Sequence, residues 1–176
     1  SYLRQTLRSV RCVTVQSADM KRRLCARFGL NEAQVLVVPS ALPSPPAAQE
    51  LTEAPERDEM TLLCVSGPAP HKNLVVLLDM LSALESRHAS ARLLLTVDGK
   101  TNPGLVEAAR RRGVVDRVDF LGACEPDRIR RLSQTATIAL QPSLLESFGL
   151  SYYESMAAGL PLVVSDRPFA REACGD

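Results

Sequence analysis

Residues 137–165 read TIALQPSLLESFGLSYYESMAAGLPLVVS, and this stretch decides the fold. An apolar run, Thr137 to Gln141, has the length and composition of a buried strand. A loop opening at Pro142 follows, then a helical pattern from Ser151 to Ala158 capped by Gly159, then a second apolar strand, Leu162 to Ser165. That is one strand–helix–strand unit, and two parallel strands joined this way need the helix as crossover.

Working outward, the same alternation extends in both directions. Upstream lie a strand at Thr61 to Ser66 and a helix at Asn73 to Ser86, whose Leu74, Leu77, Leu78, Leu81 and Leu84 recur on one face. A strand at Ala91 to Val97 and a helix opened by Pro103 and closed by Gly113 come next. Then follow a strand at Val118 to Leu121 and a helix opened by Pro126. Downstream, Pro168 opens a further helix, and the pattern still reads as helix at Gly175 and Asp176. Strands alternating with helices predict an α/β fold, a Rossmann-like parallel sheet with helices on both faces. Before residue 60, a strand at Cys12 to Val15, an N-cap at Ser17, a helix capped by Gly29 and a strand at Val35 to Val38 form a separate block. Residues 46–58, rich in proline and glutamate without apolar period, read as a linker. The expected domains are 1–45, 46–58 and 59–176.

Bulk properties narrow the function. The chain has 176 residues, 45% hydrophobic, 4% aromatic and without Trp, and 21 basic against 20 acidic residues. A globular core is within reach, but no field or stacking platform favours nucleic acid. Clusters such as Lys21-Arg22-Arg23 and Arg110-Arg111-Arg112 fall in helical patterns and read as solvated faces. Five cysteines form no C-x-x-C pair, and with two histidines they supply no zinc pattern and no disulfide framework. Free thiols suit a cytoplasmic location. No apolar run of ~18 residues spans a membrane, so any membrane contact is expected to be peripheral. The start without Met and the helical end lead to the expectation of a longer parent chain.

In parallel sheets ligands bind beyond the carboxyl ends of the strands, so the loops there carry the chemistry. The segment from Pro142 holds two carboxylates with seven residues between them, Glu146 in the loop and Glu154 in the first turn of the next helix, on either side of Phe148-Gly149-Leu150. Carboxylates accept hydrogen bonds from sugar hydroxyls, glycine lets backbone approach a ligand, and a helix start suits a diphosphate. Ser151 to Glu154 also reads as a capping box, which leaves Glu146 unexplained.

The run from Phe120 to Asp176, with E-x7-E followed by A-x-G-x-P-V-V-like sequence, resembles the C-terminal, donor-binding domain of the group 1 retaining glycosyltransferases, the C-terminal half of a GT-B fold. The resemblance implies that Glu146 holds hydroxyls of the donor sugar and Glu154 the ribose. Backbone at Phe148, Gly149 and Leu150 would face the diphosphate and sugar, and Ala123 and Cys124 would flank the base. In the loop Gly67-Pro68-Ala69-Pro70-His71-Lys72-Asn73, Gly67 would border the donor and Lys72 would offset charge on the leaving diphosphate. The family's usual Arg is replaced by Pro68, and the Asp98–Asn102 loop is longer than usual. Lys100, Asp166 and Arg167 are peripheral candidates. The implied partner is a UDP-, GDP- or ADP-linked sugar, transferred with retention, without cofactor or metal, to a saccharide or lipid-linked acceptor held by an N-terminal domain. Surface polysaccharide synthesis fits, and the fragment alone is expected to be inactive. Two alternatives stay open: a non-catalytic binding domain with a decayed pocket, suggested by Pro68, and an NAD-type oxidoreductase, which Gly67-Pro68-Ala69-Pro70 does not suit because it lacks G-x-G-x-x-G.

Overall fold

The computed structural model describes residues 2–42, 60–87 and 90–175. The expected linker, 46–58, lies outside them. In chain order the elements are α1 (Tyr2–Ser9), β1 (Val13–Val15), α2 (Ala18–Phe28) and β2 (Val35–Val37). After these come β3 (Met60–Cys64), α3 (Val75–Ser86), β4 (Ala91–Leu95), α4 (Pro103–Arg111) and β5 (Val118–Phe120). The last are α5 (Pro126–Thr135), β6 (Ile138–Gln141), α6 (Leu150–Ala157), β7 (Leu162–Val164) and α7 (Pro168–Cys174).

Contacts divide the chain into two compact units. The first holds Ser1–Leu42, Leu145–Leu150 and Asp166–Asp176, and the second holds Pro43–Leu144 and Ser151–Ser165. Segments 145–150 and 166–176 group with the N-terminal residues.

The second unit is a five-stranded, all-parallel sheet of order β5-β4-β3-β6-β7. The Rossmann-like architecture is therefore as expected. Central strand β3 aligns Leu62 with Leu93 and Leu63 with both Leu94 and Ala139. Its leucines read as a continuous apolar run because each face is covered. On one face Leu62, Leu93 and Leu95 pack with Leu78 and Leu81 of α3; on the other, Leu63 and Leu94 pack with Ala139 and Leu160. Leu81 is fully buried.

Two helix starts differ from expectation. Asn73 does not cap α3: it takes φ 53°, in the left-handed region, and ends a 3-10 turn over Pro70–Lys72 before the helix begins at Val75. Asn is one of the few non-glycine residues that visits that region readily. Helix α6 begins at Leu150, one residue early, so Ser151 lies within it and the capping box does not form. At the other end of the chain, the helical pattern closes at Cys174, where the Gly175 N–H donates to the Arg171 carbonyl.

In the first unit, β1 and β2 pair in parallel, Val13 opposite Val35. Ser17 caps α2 by accepting from the Met20 N–H, and Gly29 closes it at φ 67°. Helix α1 is an element the sequence pattern does not announce. Val35 is buried, whereas Leu36, Val37 and Val38 are 50%, 40% and 53% exposed. All five cysteines are free thiols. Among the described residues no helix is long and apolar enough to cross a membrane.

Candidate functional site

Strand order reverses between β3 and β6, which is where open α/β sheets place their ligands. Past Leu63 and Ala139 the gap is spanned by the buried Gln141, whose amide donates to the Val65 carbonyl at 3.2 Å. From the other side Thr96 Oγ1 accepts the Ser66 N–H at 2.8 Å and donates to the Ser66 carbonyl at 3.1 Å. Further along, the Leu144 N–H donates to the His71 carbonyl at 2.7 Å. The loop carrying Gly67 and Lys72 is thus fastened by β4 on one side and by the loop leaving β6 on the other.

Lys72 ends the 3-10 turn, its N–H bonded to the Ala69 carbonyl at 2.9 Å. The half-buried side chain carries its charge close to Cys64, the last residue of β3. Burial pushes the Cys64 thiol up to about 12, and the Lys72 ammonium works against that shift. Gly67 is free of positive φ, and a β-carbon placed on it would meet no heavy atom within 4 Å. Neither backbone conformation nor packing therefore demands a glycine at position 67. An open depression of ≈ 390 Å³ lies between this loop and the start of α4, bordered by Pro68, Asn73, Leu74, Asn102 and Gly104.

The loop after β5 turns at Gly122, φ 71°, whose N–H donates to Val97. Ala123 is exposed and Cys124 half-buried, its thiol 3.5 Å from the Gly122 carbonyl. Asp98 orders its own loop by accepting the Lys100 N–H at 2.8 Å and, through its carbonyl, the Asn102 amide at 2.9 Å. Lys100 enters this turn through its backbone N–H. On α6, Ser155 donates to the Ser151 carbonyl, and Tyr152 is wholly buried beneath the helix. Glu154 stands in the second turn, half-buried, and burial raises its carboxyl above the usual range.

The remaining candidates belong to the first unit. Glu146 and Phe148 are half-buried, Gly149 is buried at φ 76°, and Leu150 is exposed. Between them the Ser147 carbonyl accepts the Ser17 hydroxyl at 2.8 Å. Asp166 is fully exposed and bonded at 2.6 Å to Arg171, which holds its carboxyl below the ordinary value. Arg167 sits at the N-cap of α7. The second unit therefore gathers Gly67, Lys72, Ala123, Cys124 and Glu154 on loops or a helix that follow strand ends, and the first carries Glu146 to Leu150. Sequence reasoning missed Gln141, Thr96 and the outward bond of Ser17. Among the described residues no group of three or more His, Cys, Asp or Glu could hold a metal ion.

An all-parallel sheet of this order, with its loops and an E-x7-E pair after β6, is the donor-side half of a GT-B architecture. Solved structures agree on the fold: HepE of Anabaena, in complex with UDP and glucose, superposes with TM-score 0.76 at 19% identity over 96% of this chain and 50% of its own. WaaG, a glycosyltransferase of lipopolysaccharide biosynthesis, gives TM-score 0.71 at 19% identity over 91% and 46%. The model for glycosyl transferases group 1 matches residues 49–176, and the chain belongs to that family. Membership sets aside the oxidoreductase alternative. Among curated relatives, the phosphatidylinositol N-acetylglucosaminyltransferase gpi3 subunit of Schizosaccharomyces pombe is 26% identical over 92% of this chain and 35% of its own length. The D-inositol 3-phosphate glycosyltransferase of Nocardia farcinica is 28% identical over 88% and 37%. The chain thus spans about a third of these curated relatives.

Proposed function

We propose that this chain is the nucleotide-sugar-binding part of a hexosyltransferase that transfers with retention and without a metal ion. The observation that carries the reading is the fastening of the Lys72 loop, through the His71 carbonyl and the Leu144 N–H, to the loop that leads into Glu146. A cation held at the switch point by backbone bonds is preorganised for charge that develops on a departing diphosphate. Glu154 binds the ribose diol, Glu146 and the backbone of Phe148, Gly149 and Leu150 take the sugar, and Ala123 and Cys124 border the base. Solved neighbours described with UDP, HepE and the pneumococcal GtfA, support a nucleoside diphosphate as the common element.

The glycosidic bond breaks as the diphosphate leaves through an oxocarbenium-like state, and an acceptor hydroxyl enters on the same face. The residues contribute position and charge stabilisation. Acceptors are saccharide or lipid-linked, held by a further domain, in surface polysaccharide synthesis at the cytoplasmic side. The chain alone binds the donor and does not transfer it. Ligand-observed NMR with UDP, GDP and ADP in EDTA tests the reading. Binding of at least one nucleotide is expected, and failure of all three at millimolar concentration overturns it.

A further inference from the structure

We infer that Ser17 is a positioning residue for the Glu146 loop, an inference that rests on the function proposed above. Ser17 is 9% exposed, and its hydroxyl has two partners. As acceptor it takes the Met20 N–H at 3.2 Å, closing the start of α2. As donor it gives its single proton to the carbonyl of Ser147 at 2.8 Å, 130 residues away in sequence. A serine hydroxyl has one proton and two lone pairs, so the two bonds are compatible and neither displaces the other.

The direction of the proton is fixed by its surroundings. The Glu172 carboxylate accepts the N–H groups of Ala18 at 2.6 Å and Asp19 at 2.7 Å. With Met20 on Ser17, the amides at residues 18, 19 and 20 all have partners, and the start of α2 is held by a side chain of α7. The Ser17 hydroxyl is aimed by its own two partners, the Met20 N–H and the Ser147 carbonyl, while Glu172 supports the helix start through residues 18 and 19. Ser147 lies between Glu146 and Phe148, so the bond pins the midpoint of the segment assigned to the donor sugar. Helix α2, which carries none of the assigned donor contacts, thereby sets where those contacts stand.

The hydroxyl's two roles can be separated by substitution in the full-length protein. Ser17→Asp keeps the capping acceptor and loses the donor; Ser17→Thr keeps both; Ser17→Ala loses both. Glu172→Gln weakens the same helix start without touching Ser147. Two readouts are used: amide hydrogen exchange over residues 145–150, and donor KM against kcat. Loss of one hydrogen bond of ordinary strength is expected to speed exchange at the loop amides about 2- to 12-fold in Ser17→Asp and Ser17→Ala. kcat is expected to fall by about 10-fold or more while the Kd of free UDP stays within 2-fold, because the nucleotide contacts are elsewhere and misplacement of the reacting sugar costs rate. Ser17→Thr restores both readouts, and Glu172→Gln leaves loop exchange unchanged. Should Ser17→Asp fail to fold beside Glu172, the comparison of Ser17→Ala with Glu172→Gln decides. Equal loop exchange in those two variants, or unchanged exchange in Ser17→Asp, overturns the inference. If wild type shows no donor turnover, the proposed function fails, and the exchange data still judge the Ser17 tie.

Discussion

Replacing Glu154 by alanine separates a ligand contact from a structural one, because the structure sets the sign of each effect. Helix α6 starts at Leu150, so Glu154 lies in its second turn and caps nothing. Alanine is a slightly better helix former there, by a few tenths of a kcal/mol. Burial also raises the Glu154 carboxyl, so the folded protein keeps that proton to higher pH than the unfolded chain does. Wild type therefore loses stability as pH rises through the window from the ordinary glutamate value to the raised one, and the variant lacks that loss. Above the window Glu154→Ala melts no lower than wild type. Nucleotide binding moves the other way: deleting a charged acceptor for the ribose hydroxyls costs ~1.5–3 kcal/mol, about 12- to 140-fold in Kd. Glu146→Ala, which removes a sugar contact, leaves free nucleotide binding within about 2-fold. Calorimetric melts at pH 5 and 8, with nucleotide titrations in EDTA, measure both. A Tm lowered by more than ~4 °C, on the order of 1 kcal/mol or more for a chain of this size, would refute the structural half. Nucleotide binding that depends on Glu146 rather than Glu154 would refute the role assignment.

Lys72→Met in the full-length protein is expected to lower kcat about 100-fold, the scale for removing one preorganised group that meets developing charge; turnover within 3-fold of wild type would show the loop cation to be dispensable. Gly67→Ala should leave stability unchanged, since the new methyl has open space around it, while weakening donor binding; a urea midpoint that shifts would mean the glycine serves the fold. Gly99→Ala should behave oppositely. Its β-carbon would stand 3.1 Å from Val106 Cγ2 and 3.3 Å from Phe120 Cβ and Cγ, and such overpacking costs ~1–3 kcal/mol by urea denaturation, with nucleotide affinity preserved in the folded fraction.

The parallel sheet was legible because the information is local. Leucine-rich runs at β3 and β4 alternate with helical periods, and Pro103, Pro126 and Pro168 mark helix starts where a missing N–H is harmless. Helix α1 was hidden because YLRQTLRS offers only Leu3 and Leu7 as an apolar stripe, too short to show a period. The start of α3 was misplaced because Asn serves equally as a cap and as a left-handed turn residue, and only the 3-10 turn at Pro70 distinguishes them. Ser151 and Glu154 had capping-box spacing, but Gly149 let the helix begin sooner. In the candidate site, the E-x7-E pair and Lys72 stand out by residue type and spacing. Gln141, Thr96, Ser17 and Glu172 act on backbone groups between 30 and 154 residues away, and one sequence contains no trace of such pairings.

The exposure of Leu36 and Val37 on β2, and of Val38 just after it, has a practical consequence for the isolated polypeptide. A strand paired on one side among the described residues, with neighbouring apolar residues exposed, is a template for another extended chain. Recombinant preparations of these 176 residues are expected to self-associate as concentration rises, with turbidity and light scattering growing before any loss of helical circular dichroism. Lysine at position 36 or 38 would blunt that edge, and it would do so without altering a loop that follows the large sheet.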